Sequence, residues 1–358
     1  MTLRTQTRPI HVGPVQVGGG APVSVQTMAN VPTTDVPAVL AQVRRAADLG
    51  CDIFRVAVPD RAAAEALPAL VAQSPLPLVA DIHFDHRLAL AALEAGVAAL
   101  RINPGNIGGP DRVRAVVEAA RPRRTPIRIG VNGGSLEKAL VAKYGSATPE
   151  ALVESALGHV RLLEALDYRE IAISVKASDI PRTVAAYRLL ADRVPYPLHL
   201  GLTEAGTALR GTVTSCVALS RLLEDGIGDT LRISLTAPIE QEVRVGVELL
   251  RACGLRAPGA WVTSCPTCGR TQVNLQAAAE RVSDALEAFY RAHPGAKRLH
   301  VAVMGCVVNG PGEAREADLA LCGGRDVFAL YRHGEHLATL PPPDAIAELL
   351  RLVGEEAR

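Results

Sequence analysis

The chain is poor in aromatics, in lysine and in net charge. Phe, Trp and Tyr make up 3% of its 358 residues, so the interior expected from a 48% hydrophobic composition is built of Ala, Leu, Val and Ile. Its 38 basic side chains, only four of them lysines, meet 37 acidic ones for a net charge of +1. That balance excludes the global electrostatic footprint of a nucleic-acid binder. With arginine so common, a single arginine says little, and a lysine in a polar setting says more. The first 30 residues lack the basic, apolar and small-residue succession of a signal peptide, and no apolar run nears the roughly 18 residues needed to span a bilayer. A cytoplasmic protein without membrane contact is expected. There the seven cysteines are not expected to pair as structural disulfides. Cys51, Cys216 and Cys253 fall in strand or helix patterns and read as core thiols. The clustered remainder points to metal or redox chemistry.

What is present is a regular alternation. From Pro22 to about Arg251, eight β-branched or leucine-rich runs alternate with eight amphipathic or Ala-rich stretches. The strand runs are Pro22–Thr27, Cys51–Val58, Pro77–His83, Val97–Asn103, Pro126–Asn132, Glu170–Lys176, Pro197–Thr203 and Thr230–Leu235. Helices are expected at Val36–Leu49, Pro149–Leu166 and Ile239–Ala252 among others. Count and size predict a (β/α)8 TIM barrel over residues 1–253. An open doubly wound sheet more often shows a Gly-rich fingerprint after its first strand, whereas Val17-Gly18-Gly19-Gly20 precedes it and reads as a turn. From residue 254 to 358 the pattern becomes that of a small α+β domain, with strands at Trp261–Ser264, Arg298–Met304, Leu319–Leu321 and within Val327–Leu340, and helices at Asn274–Ala292 and Pro342–Glu356.

Within the barrel strands the apolar positions share one face and the polar ones the other. Arg55, Arg101, Arg128, Lys176 and Arg232 thus top five different strands on the lumen side. Five cations facing each other are costly without an anion, and planar guanidiniums match phosphate oxygens in pairs, so a substrate with two phosphate groups is expected. Asn103, Asn132, Thr203 and Ser234 complete its hydrogen bonds in this reading. Glu204, just past the seventh strand, is a candidate proton donor or acceptor, with Asp81 and His83 as secondary candidates.

In the second domain stand Cys265-Pro266-Thr267-Cys268 and Cys306-Val307-Val308-Asn309-Gly310-Pro311-Gly312-Glu313. Three thiolates and a carboxylate form a four-point site with one weak corner. An iron–sulfur cluster is favoured over zinc, which lacks the second Cys-x-x-Cys or His pair of a ribbon, and over a redox dithiol, which leaves Cys306 and Glu313 without a role. The Cys306–Glu313 segment reads as a Gly-rich loop wrapped round an inorganic core.

These residues resemble the bacterial 4-hydroxy-3-methylbut-2-en-1-yl diphosphate synthases of the methylerythritol phosphate route. The likeness spans nearly the whole chain, in Phe54-Arg55-Val56-Ala57-Val58-Pro59, Ala80-Asp81-Ile82-His83-Phe84, Arg101-Ile102-Asn103-Pro104-Gly105-Asn106, His199-Leu200-Gly201-Leu202-Thr203-Glu204-Ala205-Gly206 and both cysteine motifs. The resemblance implies a 4Fe–4S cluster on Cys265, Cys268, Cys306 and Glu313, with flavodoxin or ferredoxin as electron donor. It implies reductive ring opening and dehydration of 2-C-methyl-D-erythritol 2,4-cyclodiphosphate. Arg55, Arg101, Arg128, Asn132, Lys176, Thr203, Arg232 and Ser234 would hold the diphosphate, and Glu204 would donate the proton. Thr27 and Ala29 stand where the family usually carries Ser and Thr, and Cys322 where a small residue is usual; Cys322 reads as a buried thiol outside the ligand set.

Two rival readings are a pterin-phosphate or aldolase-like barrel with a structural zinc clip, and a metal-stabilised module binding RNA or protein. A last expectation is geometric. The eighth helix returns the chain to the face opposite the mouth, and Gly254–Ala260 stretches at most roughly 25 Å at about 3.5 Å per residue. Each cluster domain is therefore expected to serve the barrel of a second chain in a head-to-tail homodimer.

Overall fold

The computed structural model describes residues 2–306, 308 and 310–357, and not the side chains of Pro104, Gly105, Ser135, Gly310, Pro311 and Glu313. Contacts divide the chain into two units, residues 1–256 and 257–358.

The first unit opens with a hairpin, β1 (Ile10–Val12) and β2 (Val15–Val17). Eight parallel strands follow: β3 (Ser24–Met28), β4 (Ile53–Ala57), β5 (Leu78–Asp81), β6 (Ala99–Ile102), β7 (Ile127–Asn132), β8 (Ile171–Lys176), β9 (His199–Leu200) and β10 (Thr230–Leu231). They run in the order β8-β7-β6-β5-β4-β3-β10-β9, and an Ile173–Leu198 bridge closes the ring. This is the (β/α)8 barrel expected from the alternation.

Recurrent chemistry starts its helices. Asp35, Asp60, Asp85 and Asp179, each shortly after a strand, accept from backbone N–H groups two or three residues on, as Thr148 does ahead of Pro149–Glu164. Each such cap stabilises its helix by about 1 kcal/mol. The outward strand residues, among them Phe54, Val56, Ile127, Ile129, Ile171, Ile173, Leu200 and Leu231, are buried against the helices.

The inward face has two regimes. Low in the lumen, Ile53, Val79, Ala99 and Ala172 pack on Ile10, Val12 and Val17 of the hairpin, which fills the N-terminal end of the barrel. The sequence reading missed this hairpin, because its two three-residue strands are too short to show alternation. Higher up the lining turns polar. The last two strands are shorter than expected, although single ladder bonds persist beyond them, such as Arg232 N–H to Leu200 O at 3.0 Å.

The second unit is a sheet in the order β11 (Trp261–Ser264), β12 (His300–Met304), β13 (Leu319–Gly323), β14 (Phe328–Arg332) and β15 (Glu335–Leu340). The first three strands are parallel and the rest antiparallel. Helices Leu275–Ala292 and Pro342–Glu356 cover one face through Leu275, Val282, Leu286, Leu349 and Val353. On the other face Ala314 and Ala317 pack on Ala302, Met304, Ala320 and Cys322. Here the expected Gly-rich loop differs, since Gly310–Glu316 is a short helix. No helix of the structure is long and apolar enough to cross a membrane, among the described residues.

Candidate active site

The five lumen cations do converge, and Lys176 records it. Burial first, and then the charges of Arg55, Arg128, Arg232 and Arg101, drive its ammonium well below the usual lysine range. Arg55 is brought down to about 10 by burial, then by Arg232 and Arg101, against the opposing pull of Asp81.

Three of these cations have a carboxylate partner within the protein. Arg101 Nη1 donates to Asp81 Oδ1 at 3.0 Å, and Arg55 Nε lies 3.7 Å from Asp81 Oδ2. Burial pushes the Asp81 carboxyl up, but Arg55, Arg101, His83 and Arg128 outweigh it and hold Asp81 below the usual carboxylate range. Arg232 is gripped twice by Glu242, Nη2 to Oε1 at 2.9 Å and Nε to Oε2 at 3.2 Å, while its Nη1 donates to Ser234 Oγ at 3.2 Å. Arg128 donates instead to the Gln26 amide oxygen at 2.6 Å, and neither it nor Lys176 has an ion-pair partner among the described residues. Five cations thus face two buried carboxylates, Asp81 and Glu242. The excess positive charge, in a site walled by apolar side chains, favours a multiply charged anion.

The remaining predicted residues ring this cup. Asn103 is buried, and the Asn132 amide oxygen accepts from Arg101 Nη2 at 3.2 Å when its nitrogen faces the Val131 carbonyl. Thr203 is half-buried, with its N–H on Ala177 O at 3.1 Å. Glu204 is exposed, and its φ of 54° is left-handed, a strained backbone for a non-glycine residue. His83 is half exposed, 3.2 Å from Arg101 Nη1 through Nε2.

Sequence reasoning missed several residues that shape the cup. Glu242 also accepts from Thr27 Oγ1 at 2.7 Å and from Leu235 N–H at 2.9 Å. Its signal was a carboxylate inside the apolar stripe Ile239-Glu242-Val243-Gly246. Gly130 and Gly201 face inward on their strands. A Cβ on Gly130 would stand 2.4 Å from Arg101 Nε, and one on Gly201 2.6 Å from Lys176 Nζ. Two absent side chains therefore make the room in which these cations lie.

In the second unit, parallel pairing of Ser264 with Val303 puts Cys265 beside the end of β12, two residues before Cys306. Gly305 N–H donates to Cys265 Sγ at 3.3 Å. Cys268 is exposed in the following turn, where the Arg270 backbone, with its side chain and Thr271, holds the thiol below its ordinary range. Cys322, opposite Met304 on β13, is buried, and burial first, then Cys306 and Cys265, push its thiol up to about 12. The Glu313 side chain lies outside the described residues. Cys265 and Cys306 follow the ends of adjacent strands and Cys268 lies in the turn beyond, but among the described residues no three His, Cys, Asp or Glu side chains are drawn together as a metal site. It is the chemistry of the donor set, three thiols beside a closely approached backbone (Gly305 O lies 2.7 Å from where a Gly323 Cβ would sit), that suits a bulky sulfide-bridged cluster.

The comparisons with known proteins agree with both units. Residues 7–247 match the GcpE TIM-barrel domain and residues 261–355 the GcpE protein C-terminal domain. A relative from Geobacter sulfurreducens, named 4-hydroxy-3-methylbut-2-en-1-yl diphosphate synthase (flavodoxin), is 58% identical over 99% of this chain and 100% of its own. One of the same name from Clostridium perfringens is 49% identical over 98% and 99%. In fold alone, the chain is similar to the N-acetylneuraminic acid synthetase of Leptospira borgpetersenii, with a TM-score of 0.50 and 13% identity over 74% of this chain and 94% of that one. Matched in both units and along its whole length, the chain belongs to the GcpE family, that of the 4-hydroxy-3-methylbut-2-en-1-yl diphosphate synthases.

Proposed function

We propose that the chain catalyses the reductive ring opening and dehydration of 2-C-methyl-D-erythritol 2,4-cyclodiphosphate to 4-hydroxy-3-methylbut-2-enyl diphosphate. The reaction takes up two electrons and two protons and releases one water. The observation that carries the reading is the cup in which Arg55, Arg101, Arg128, Lys176 and Arg232 exceed their two carboxylates, Asp81 and Glu242. A cyclic diphosphate supplies the missing negative charge, and the Arg232–Ser234 and Arg101–Asn132 contacts hold donors ready around it. Glu204 gives a proton to the departing hydroxyl from a loop whose strained backbone fixes its direction.

Cys265, Cys268, Cys306 and Glu313 would hold a 4Fe–4S cluster, which when bound supplies the electrons one at a time. Flavodoxin, the donor in the relatives' name, is the proposed source, with ferredoxin as the alternative. The reading places the enzyme in the cytoplasm, with residues 1–253 binding substrate and 254–358 the cluster.

It also includes a head-to-tail homodimer in which each cluster unit serves its partner's barrel. Supporting this, the first unit ends at the face opposite the mouth, where Arg256 is tied to Gly50 O at 2.9 Å and Asp52 at 3.3 Å, just before β4. The test is anaerobic reconstitution with iron and sulfide, followed by turnover of the cyclic diphosphate with reduced flavodoxin. Bound inorganic sulfide and diphosphate product are expected; a colourless protein without sulfide overturns the reading.

A further inference from the structure

Within the lumen, Gln26, Arg128, His199 and Thr230 line one small cavity whose floor is the apolar plug of Ile10, Val12 and Val17. Arg128 uses one donor there, Nη1 to Gln26. Its Nε and Nη2, the side-on edge of the guanidinium, are buried without a partner. Across the same cavity His199 is 1% exposed, its Nδ1 is 3.4 Å from Thr230 Oγ1, and its Nε2 is likewise buried without a partner. A buried polar group left unpaired is destabilising, and more so when charged. Two orphaned donors and one orphaned acceptor around one cavity are complementary. Burial, and then Arg128, Lys176, Arg55 and Arg232, keep the imidazole well below the usual histidine range, so that it has a lone pair to offer.

We propose that His199 is the positioning residue for Arg128: its Nε2 accepts, through one water in the cavity, from the free guanidinium edge, while Nδ1–H donates to Thr230. Held at Gln26 on one side and His199 on the other, the guanidinium plane is fixed, and its remaining N–H donors are presented to an anion in the cup. The proposal deepens the phosphate-binding reading and rests on it only for its binding and kinetic tests.

Two kinds of measurement decide it. Long-range nitrogen-15 imidazole NMR on the intact protein, without ligand, should find His199 neutral with the proton on Nδ1. An Nε2–H tautomer or an imidazolium overturns the tie whatever the substrate is. His199→Gln places an amide near Nε2, His199→Asn is too short to reach Arg128, and His199→Phe removes the acceptor. The Asn and Phe variants should bind inorganic pyrophosphate about tenfold more weakly, the scale of one hydrogen bond to a charged group. They should also raise KM more than they lower kcat, with Gln restoring both at an unchanged Tm. If the Asn variant, or a folded Phe variant, binds pyrophosphate as the parent does, the proposal is wrong. If the parent itself binds none, the phosphate reading fails and the NMR result still decides the tie.

Discussion

At the scale of single residues, the site is controlled as much by side chains that are missing as by those present. A methyl group on Gly201 would meet Lys176 Nζ at 2.6 Å and the Arg232 carbonyl at 2.7 Å. The lysine tip can move, but the carbonyl is backbone. Gly201→Ala is therefore expected to cost about 1–3 kcal/mol of stability through overpacking and to displace Lys176, raising KM for the cyclic diphosphate; thermal unfolding and steady-state kinetics check the two effects separately. Glu204 works from the other direction. Glu204→Gln keeps size and backbone while removing the proton, so kcat should fall by about 10²–10⁴ with KM nearly unchanged; a raised KM with kcat unchanged would place Glu204 in binding instead. Cys322 separates the thiols by environment. Sunk among Ala302, Ala314, Ala317 and Ala320, it is an inert thiol, and Cys322→Ala should keep full iron content after reconstitution; a halved content would make it a ligand. The cations and cysteines of this site were legible because charge on a strand's inner face and paired thiols have few other uses. Glu242 and Gly130 were not, since a carboxylate on a helix or a glycine in a strand acquires meaning only from the neighbour it touches.

At the scale of elements, strand and helix positions were legible and the bottom of the barrel was not. The outward faces of β7 and β8 declare themselves by period-two alternation, and the caps Thr148 and Asp179 mark where the long helices after them begin. The hairpin β1–β2 declares nothing, because it is stabilised by what it plugs. Its neighbour Asp229 shows how the N-terminal segment is tied to the barrel. Leu198 N–H donates to one carboxylate oxygen at 2.8 Å and Thr7 Oγ1 to the other at 2.7 Å. Burial nevertheless pushes the Asp229 carboxyl up to about 6, against those bonds and the Arg4 charge. In the unfolded chain it titrates near about 3.9, so the folded state binds the proton more tightly. The resulting stabilisation is full below about pH 4 and is lost as pH rises through about 6, at up to roughly 1.4 kcal/mol per unit. Denaturant midpoints at pH 5 and pH 7 should therefore fall with rising pH in the parent by more than in Asp229→Asn. Equal slopes would show that the carboxyl is solvated and titrates normally.

At the scale of the whole molecule, the function requires two chemistries on separate units, and the chain leaves the first from its far side. Arg256 is anchored to Gly50 and Asp52 before β4, whereas Lys176 ends β8 and Arg232 follows β10, so the cup opens at the C-terminal ends of the strands, as in barrel enzymes generally. Seven residues of connector, Gly254–Ala260, reach roughly 25 Å when fully stretched. A barrel helix of about a dozen residues already spans about 18 Å, and the route over the rim adds to it. The proposed head-to-tail pair would remove the difficulty, because each mouth would then be served by the other chain's thiols. The consequence is a complementation that no within-chain arrangement allows. Lys176→Ala should spoil the cup and Cys265→Ala the cluster, leaving each variant inactive alone. Mixed and allowed to exchange subunits, they form heterodimers in which one of the two sites pairs an intact cup with an intact cluster. Activity should return to about a quarter of the parent's for equal mixing, since half the dimers are mixed and half their sites are whole. The measurement is turnover of the mixture beside mass spectrometry of the exchanged dimers. Heterodimers that form and stay inactive would mean that each barrel is served by its own cluster unit.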